Sequence, residues 1–228
     1  MNQIRNKFVI SKREFIPQSS NANFIVVAEP LIAMQQLAQS HREQFHIPVI
    51  GITGSNGKTI IKEWLYQLLR EDHHIVRSPK SYNSQIGVPL SVWQIQKEDN
   101  MALFEAGISM PDEMQNLERM IQPTIGIFTN IGQAHDENFA SQQDKIIEKL
   151  KLFINCSKLI YCKDYLTIQE GIQKLLEPTQ FATQQLSNST TQLATFTWSR
   201  KAKADLQIGR IAKKEHETEL HFQSKLHR

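Results

Sequence analysis

The stretch that decides the fold is GITGSNGKT, residues 51–59, set between the apolar run HIPVI (46–50) and the amphipathic run IIKEWLYQLL (60–69). Strand, glycine-rich turn, Lys-Thr and helix follow in the order a phosphate-binding loop requires. The spacing departs from the common G-x-x-x-x-G-K-[ST] loop: Ile52 stands where its first glycine belongs, and Gly51 comes one residue too early. Even so, Gly54 and Gly57 allow a tight turn whose successive N–H groups face an anion, and the helix beginning near Lys58 adds its positive end. Lys58 can then reach the β and γ phosphates, and the Thr59 hydroxyl can bind Mg²⁺. The alternative is an ordinary glycine-rich strand-to-helix turn, which the joint occurrence of all the signals disfavours.

Working outward, NKFVIS (6–11) and NFIVVA (23–28) read as short buried strands, PLIAMQQLAQSHREQF (30–45) as a helix with proline in its first turn, and PVIGIT (48–53) as a strand. After the loop come a helix from Lys58 to about Arg70, a strand near His74–Arg77, a helix near Val88–Ile95, the strand MALFEAG (101–107), the helix PDEMQNLERMI (111–121) and the strand TIGIFTN (124–130). Such alternation predicts an α/β fold with a mainly parallel sheet flanked by helices, and ligands at the carboxyl ends of its strands. Past Asp164 the pattern weakens. The polar stretch 177–192 precedes LATFTWS (193–199) and the alternating segments ADLQIGRIA (204–212) and ETELHFQ (217–223), which predict a small antiparallel portion. The abrupt start and the stop directly after a strand signal suggest a fragment of a longer protein.

The 228 residues, 40% apolar, suffice for one generous core, and a net charge of +3 spread along the chain gives no nucleic-acid footprint. With no apolar run of membrane-spanning length and no secretory leader pattern, the expected location is the cytoplasm. Cys156 and Cys162 match no zinc or redox spacing, so packing is their expected role.

Three further segments carry candidate chemistry. MALFEAG ends in one carboxylate, Glu105, where a magnesium site beside a triphosphate needs a hard oxygen ligand; taken alone, a strand-end Glu is more often a solvated rim residue. TIGIFTNIGQAH leads to Asn130 and His135, and imidazole is an uncommon magnesium ligand. Lys145, Lys149 and Lys151 lie on one helix, with Lys145 and Lys149 on the same face; a solvated charged face is the default reading.

Taken in order, TGSNGKT (53–59), YNSQIGVPLSVW (82–93), FEAGISMPDEM (104–114), IFTNIGQAHDENFAS (127–141) and EKLKLF (148–153) resemble the Mur ligase family of peptidoglycan synthesis. The family's loop, T-G-[TS]-x-G-K-[TS], needs no glycine at Ile52. The wording is most similar to the branch that adds D-alanyl-D-alanine to UDP-N-acetylmuramoyl-tripeptide, in the version fused to alanine racemase in some Bacteroidetes-like bacteria. The resemblance implies that residues 1–46 are the tail of an N-terminal domain for the UDP-substrate, that 47–228 form most of a central ATP-binding domain, and that a C-terminal ligase domain is absent. Thr53, Gly54, Ser55, Asn56, Gly57, Lys58 and Thr59 would wrap the ATP phosphates, with Thr59 on one Mg²⁺. Glu105 and His135 match a second Mg²⁺ site, and Asn83 an asparagine near the transferred phosphate. Lys149 matches a lysine carried as a carbamate that ligates metal, and Asp164 a nucleotide contact. Lys58, His135 and Lys149 are the residues it implies act in catalysis. The activity implied is amide formation through an acyl phosphate, with ATP and Mg²⁺. A folylpolyglutamate-synthase-type ligase, a non-catalytic nucleotide-binding module and a generic P-loop enzyme are the alternatives, in that order.

Overall fold

The computed structural model describes residues 8–16, 22–132, 136–176, 193–215 and 217–225. Along them run β1 (Phe8–Ser11), β2 (Asn23–Val26), α1 (Pro30–Arg42), β3 (Val49–Thr53), α2 (Lys58–Leu69), β4 (Ile75–Arg77), α3 (Gly87–Val92), β5 (Met101–Glu105), α4 (Glu113–Ile121), β6 (Ile125–Phe128), α5 (Gln142–Leu150), β7 (Lys158–Cys162), α6 (Leu166–Leu176), β8 (Ala194–Ser199), β9 (Leu206–Lys213) and β10 (Thr218–Ser224).

Eight strands form one sheet in the order β10-β9-β8-β7-β6-β3-β5-β4, and every neighbouring pair is parallel except β9 with β10. The predicted α/β class and its antiparallel tail are therefore both present, and the antiparallel pair is the edge of the main sheet. The segment 193–199 supplies β8, which lies parallel to β7.

Alternation along the strands divides the core. Ile50, Ile52 and Leu103 face α2 and meet its Ile61 and Leu65, whereas Val49, Ala102, Phe104 and Phe128 face the layer built by α3, α4 and α5. Each of the larger of these side chains, fully buried, contributes roughly 1.5–3 kcal/mol. Both cysteines are buried and free, and the Cys156 thiol donates to the Pro123 carbonyl at 3.3 Å, so packing is their role here. Helix α1 joins the same layer through Arg42, whose guanidinium donates to the Ile121 and Gln122 carbonyls at 2.9 and 3.1 Å. Those carbonyls end α4, where a cation satisfies unpaired acceptors and meets the negative end of the helix.

The two segments read as buried N-terminal strands differ from expectation. β1 and β2 pair with each other in a separate two-stranded parallel sheet, and Val26 is 52% exposed. A short apolar run records strand propensity, but burial needs a second layer on each face, and Val9, Ile25 and Val26 of this sheet remain exposed. Among the described residues no helix is long and apolar enough to cross a membrane.

Candidate nucleotide and metal site

Parallel register sets the site. Ile52 pairs with Glu105 and Thr53 with Phe128, so β3, β5 and β6 end at one level. Chain order reverses here: β3 leads through α2 toward β4 and β5, whereas β6 leads toward β7 on the other side. Crevices at such switch points are where open parallel sheets hold ligands.

The loop from Gly54 to Gly57 is braced by the segment after β6. Ser55 N donates to the Asn130 carbonyl at 2.9 Å, Asn56 N to Asn130 Oδ1 at 3.0 Å, and the Thr129 hydroxyl to the Asn56 carbonyl at 2.6 Å. Ser55 Oγ accepts from Gly132 N at 2.9 Å. Two of the N–H groups expected to face an anion are thus spent on the brace. The donors left to an anion include the first-turn amides of α2, whose first intrahelical bond runs from Ile61 N to the Gly57 carbonyl at 3.0 Å. Both loop glycines have positive φ, for different ends. At Gly54 (φ 141°) a Cβ would lie 2.0 Å from Thr129 Oγ1, so the brace itself demands glycine; at Gly57 (φ 82°) nothing stands within 4 Å, and only the left-handed backbone favours it.

Around this loop lies a cavity of about 450 Å³, lined by Gly54, Ser55, Lys58, Asn83, Gly107 and Lys149 among others. Lys58 Nζ donates to the Gly54 carbonyl at 2.9 Å, and burial lowers its pKa against the opposing charge of Glu105. The Thr59 hydroxyl donates to Glu105 Oε2 at 3.0 Å and lies 3.2 Å from Ser81 Oγ. Asn83 is held by Gly107 N donating to its carbonyl at 2.7 Å. Five of the expected residues, Lys58, Thr59, Glu105, Asn83 and Lys149, therefore converge. Thr53 differs: its hydroxyl is committed to the Ala106 carbonyl at 2.8 Å and is wholly buried. Asp164 is also engaged elsewhere, accepting from Ser199 Oγ, from Arg200 N at 3.0 Å and from Lys201 N at 3.3 Å. Against a desolvation that raises it, these donors hold its carboxyl below the usual range. His135 lies outside the described residues.

Two default readings of single residues are overturned. Glu105 is no solvated rim residue, being fully buried. The lysine face of α5 is not solvated either: Lys145 and Lys149 are 1% and 3% exposed. Ser141 caps α5 by accepting from Asp144 N at 3.1 Å, and from that start the i, i+4 pair turns inward, Lys145 Nζ donating to the Gly132 carbonyl at 2.6 Å. Burial first, then repulsion from Lys58 and Lys145, drags the Lys149 pKa down to about 7, with Glu148 pulling the other way.

The sequence patterns above do not single out Lys62. Fully buried, its Nζ lies 2.9 Å from Glu105 Oε1 and donates to the Ser78 carbonyl at 2.6 Å and to the Lys80 carbonyl. The signal that could have found it is its spacing: Lys62 lies four residues after Lys58 and beside Ile61 and Leu65, on the inward stripe of α2 where a lysine needs a partner.

The donor set itself shows whether these residues suit magnesium. Ligands bound at 2.0–2.1 Å in an octahedron stand about 3 Å apart along an edge. Thr59 Oγ1 and Glu105 Oε2 have that separation and are hard oxygen donors, so the pair fits. Glu105, expected at a second metal, is thus also within reach of the one expected at Thr59.

Residues 52–227 match the model of the Mur ligase middle domain. The chain belongs to the Mur ligase family. Among curated Mur ligases, the UDP-N-acetylmuramoyl-tripeptide–D-alanyl-D-alanine ligase of Bacillus subtilis is 31% identical over 154 residues, 66% of this chain and 34% of that protein. The ligase of the same name from Borreliella burgdorferi is 32% identical over 168 residues, 72% of this chain and 36% of that protein. The chain thus spans about a third of the length of these curated relatives. The crystal structure of the MurF ligase from Thermotoga maritima in complex with ADP shares the fold with a TM-score of 0.76 at 21% identity, over 94% of this chain and 46% of that one.

Proposed function

We propose that this chain is the ATP-binding part of an ATP-dependent ligase that joins D-alanyl-D-alanine to UDP-N-acetylmuramoyl-tripeptide. The observation that carries the reading is a cavity at the switch point of the sheet lined by Lys58, Asn83 and Lys149, with Thr59, the residue after Lys58, hydrogen-bonded to Glu105 at the end of β5. The names of the relatives at 31–32% identity support the substrates. The ADP held by the Thermotoga structure of the same fold agrees with the nucleotide.

In the proposed reaction the tripeptide carboxylate attacks the γ phosphorus of ATP, ADP leaves, and an acyl phosphate forms. The amine of D-alanyl-D-alanine then attacks the acyl carbon, phosphate leaves with the bonding electron pair, and the amine proton passes to solvent. The physical obstacle is the approach of a carboxylate to a polyanion. The first-turn amides of α2 and the Lys58 ammonium, released from the Gly54 carbonyl, would hold the phosphates in line and oppose that repulsion. Thr59 and Glu105 would hold the divalent cation, with His135 contributing to its second site. When bound, that cation supplies further charge neutralisation and orients the phosphates.

Lys149 as a bare ammonium would repel the cation. Its depressed pKa favours the neutral amine, whose nitrogen can attack CO₂, forming an N–C bond and releasing a proton to give a carbamate. That change replaces repulsion by Lys58 and Lys145 with attraction.

The test is a ligation assay on the protein that carries this chain, with each candidate acceptor. One ADP and one phosphate per amide are expected, only with UDP-N-acetylmuramoyl-tripeptide and D-alanyl-D-alanine together. Turnover with folate and glutamate instead would replace this reading with the folylpolyglutamate type.

A further inference from the structure

Lys62 is a buried charge for which the reaction above has no use. Its ammonium gathers the Glu105 carboxylate from β5 and the Ser78 and Lys80 carbonyls from the segment after β4, and lies 3.3 Å from Glu63 Oε1. Lys80 adopts the left-handed region (φ 49°), where a non-glycine residue is held only by its surroundings. Ser78 completes the junction, its Oγ accepting from Glu105 N at 3.1 Å. The same segment continues to Ser81, beside Thr59 Oγ1, and to Asn83 on the cavity wall. One ammonium therefore joins the helix behind the phosphate loop, the metal-facing carboxylate and the loop that lines the cavity.

Oxygen Oε1 of Glu105 is buried, lies 2.9 Å from the Lys62 ammonium and accepts no hydrogen bond, whereas Oε2 accepts from the Thr59 hydroxyl. The ion pair balances the carboxylate charge inside the protein, where screening by water is absent. We infer that Lys62 is a positioning residue that cancels the charge of Glu105, so that the site takes a divalent cation only together with the phosphates of a nucleotide. The inference deepens the proposed ATP site and rests on it for the identity of the anion. The phosphates supply the negative charge that Glu105, paired with Lys62, no longer offers.

The experiment is a Mn²⁺ titration followed by electron paramagnetic resonance, on wild type, Lys62→Gln and Lys62→Arg, with and without a non-hydrolysable ATP analogue. Lys62→Gln keeps an amide donor for the two carbonyls and loses the charge; Lys62→Arg keeps the charge. Wild type and Lys62→Arg are expected to bind Mn²⁺ tightly only with the nucleotide. Removing a unit charge this close should strengthen nucleotide-free Mn²⁺ binding in Lys62→Gln by at least about tenfold. Equal nucleotide-free binding in wild type and Lys62→Gln would overturn the inference and leave Lys62 a structural brace.

Because Lys62→Gln leaves a buried carboxylate unbalanced, its thermal transition is followed as well. Mn²⁺ alone should raise that transition in Lys62→Gln and not in wild type. Should the variant not fold, the wild-type titration decides: tight Mn²⁺ binding without nucleotide contradicts the inference, and its absence supports it. Failure of wild type to bind the nucleotide at all would instead count against the proposed ATP site, while the Mn²⁺-only comparison would still judge Lys62.

Discussion

Lys58→Ala is expected to leave the thermal transition nearly unchanged while weakening magnesium-dependent nucleotide binding by roughly 10–100-fold, the worth of a charge-assisted hydrogen bond. The asymmetry comes from what the side chain does without a nucleotide. Its Nζ makes one hydrogen bond, to the Gly54 carbonyl, and burial already disfavours its charge. Truncation removes that bond and that desolvation together, so the two changes offset. With phosphates present the same ammonium would be the cation that meets them, and alanine offers nothing in exchange. Calorimetric titration of both proteins, with melting curves followed by circular dichroism, checks both halves. A collapsed fold in the variant would show that Lys58 is structural.

The second large effect runs in the opposite direction for stability. Lys149→Met should abolish phosphoryl transfer and yet stabilise the fold below neutral pH. The Lys149 pKa falls from 10.5 in the unfolded chain to about 7 in the folded one, through burial and then through repulsion by Lys58 and Lys145. Below pH 7 both states carry the proton, and the folded state bears the full penalty of a buried ammonium. Between pH 7 and 10.5 the unfolded chain binds more proton than the folded one, so wild-type stability rises with pH across that window. Methionine, similar in size and uncharged, escapes the penalty throughout. Each tenfold loss of proton affinity on folding costs the protonated protein about 1.4 kcal/mol. In CO₂-free buffer the variant should therefore exceed wild type by a few kcal/mol at about pH 6, and the gap should close toward about pH 10. Denaturant unfolding at several pH values measures it. A destabilised variant with no pH-dependent gap would contradict the electrostatic account of this site.

Much of this was legible in the sequence for identifiable reasons. The order of strand, Gly54, Gly57, Lys58, Thr59 and helix is a local pattern, and local patterns survive folding: β3 and α2 lie where they were expected. Glu105 could be proposed as a ligand because a residue at the end of a parallel strand has little choice of location. Longer-range facts were hidden. Lysines at i, i+4 look the same on a solvated face as on a buried one, because periodicity fixes which residues share a face and not what lies opposite. Lys145 and Lys149 turn inward because the segment after β6 offers the Gly132 carbonyl and the cavity wall. The pairing of Lys62 with Glu105 joins residues far apart in the chain, through strand order that no local signal specifies. The brace of Asn130 on Ser55 and Asn56 was hidden for the same reason, and it takes two amides away from the expected anion cradle.

The measurement that bears most directly on the central claim is a crystal structure of the chain with a non-hydrolysable ATP analogue and Mn²⁺, using the anomalous signal of the metal. The account expects the phosphates at the first turn of α2 beside Lys58, and a metal peak within roughly 2–2.5 Å of both Thr59 Oγ1 and Glu105 Oε2. A nucleotide bound elsewhere, or a metal remote from those two oxygens, would contradict it.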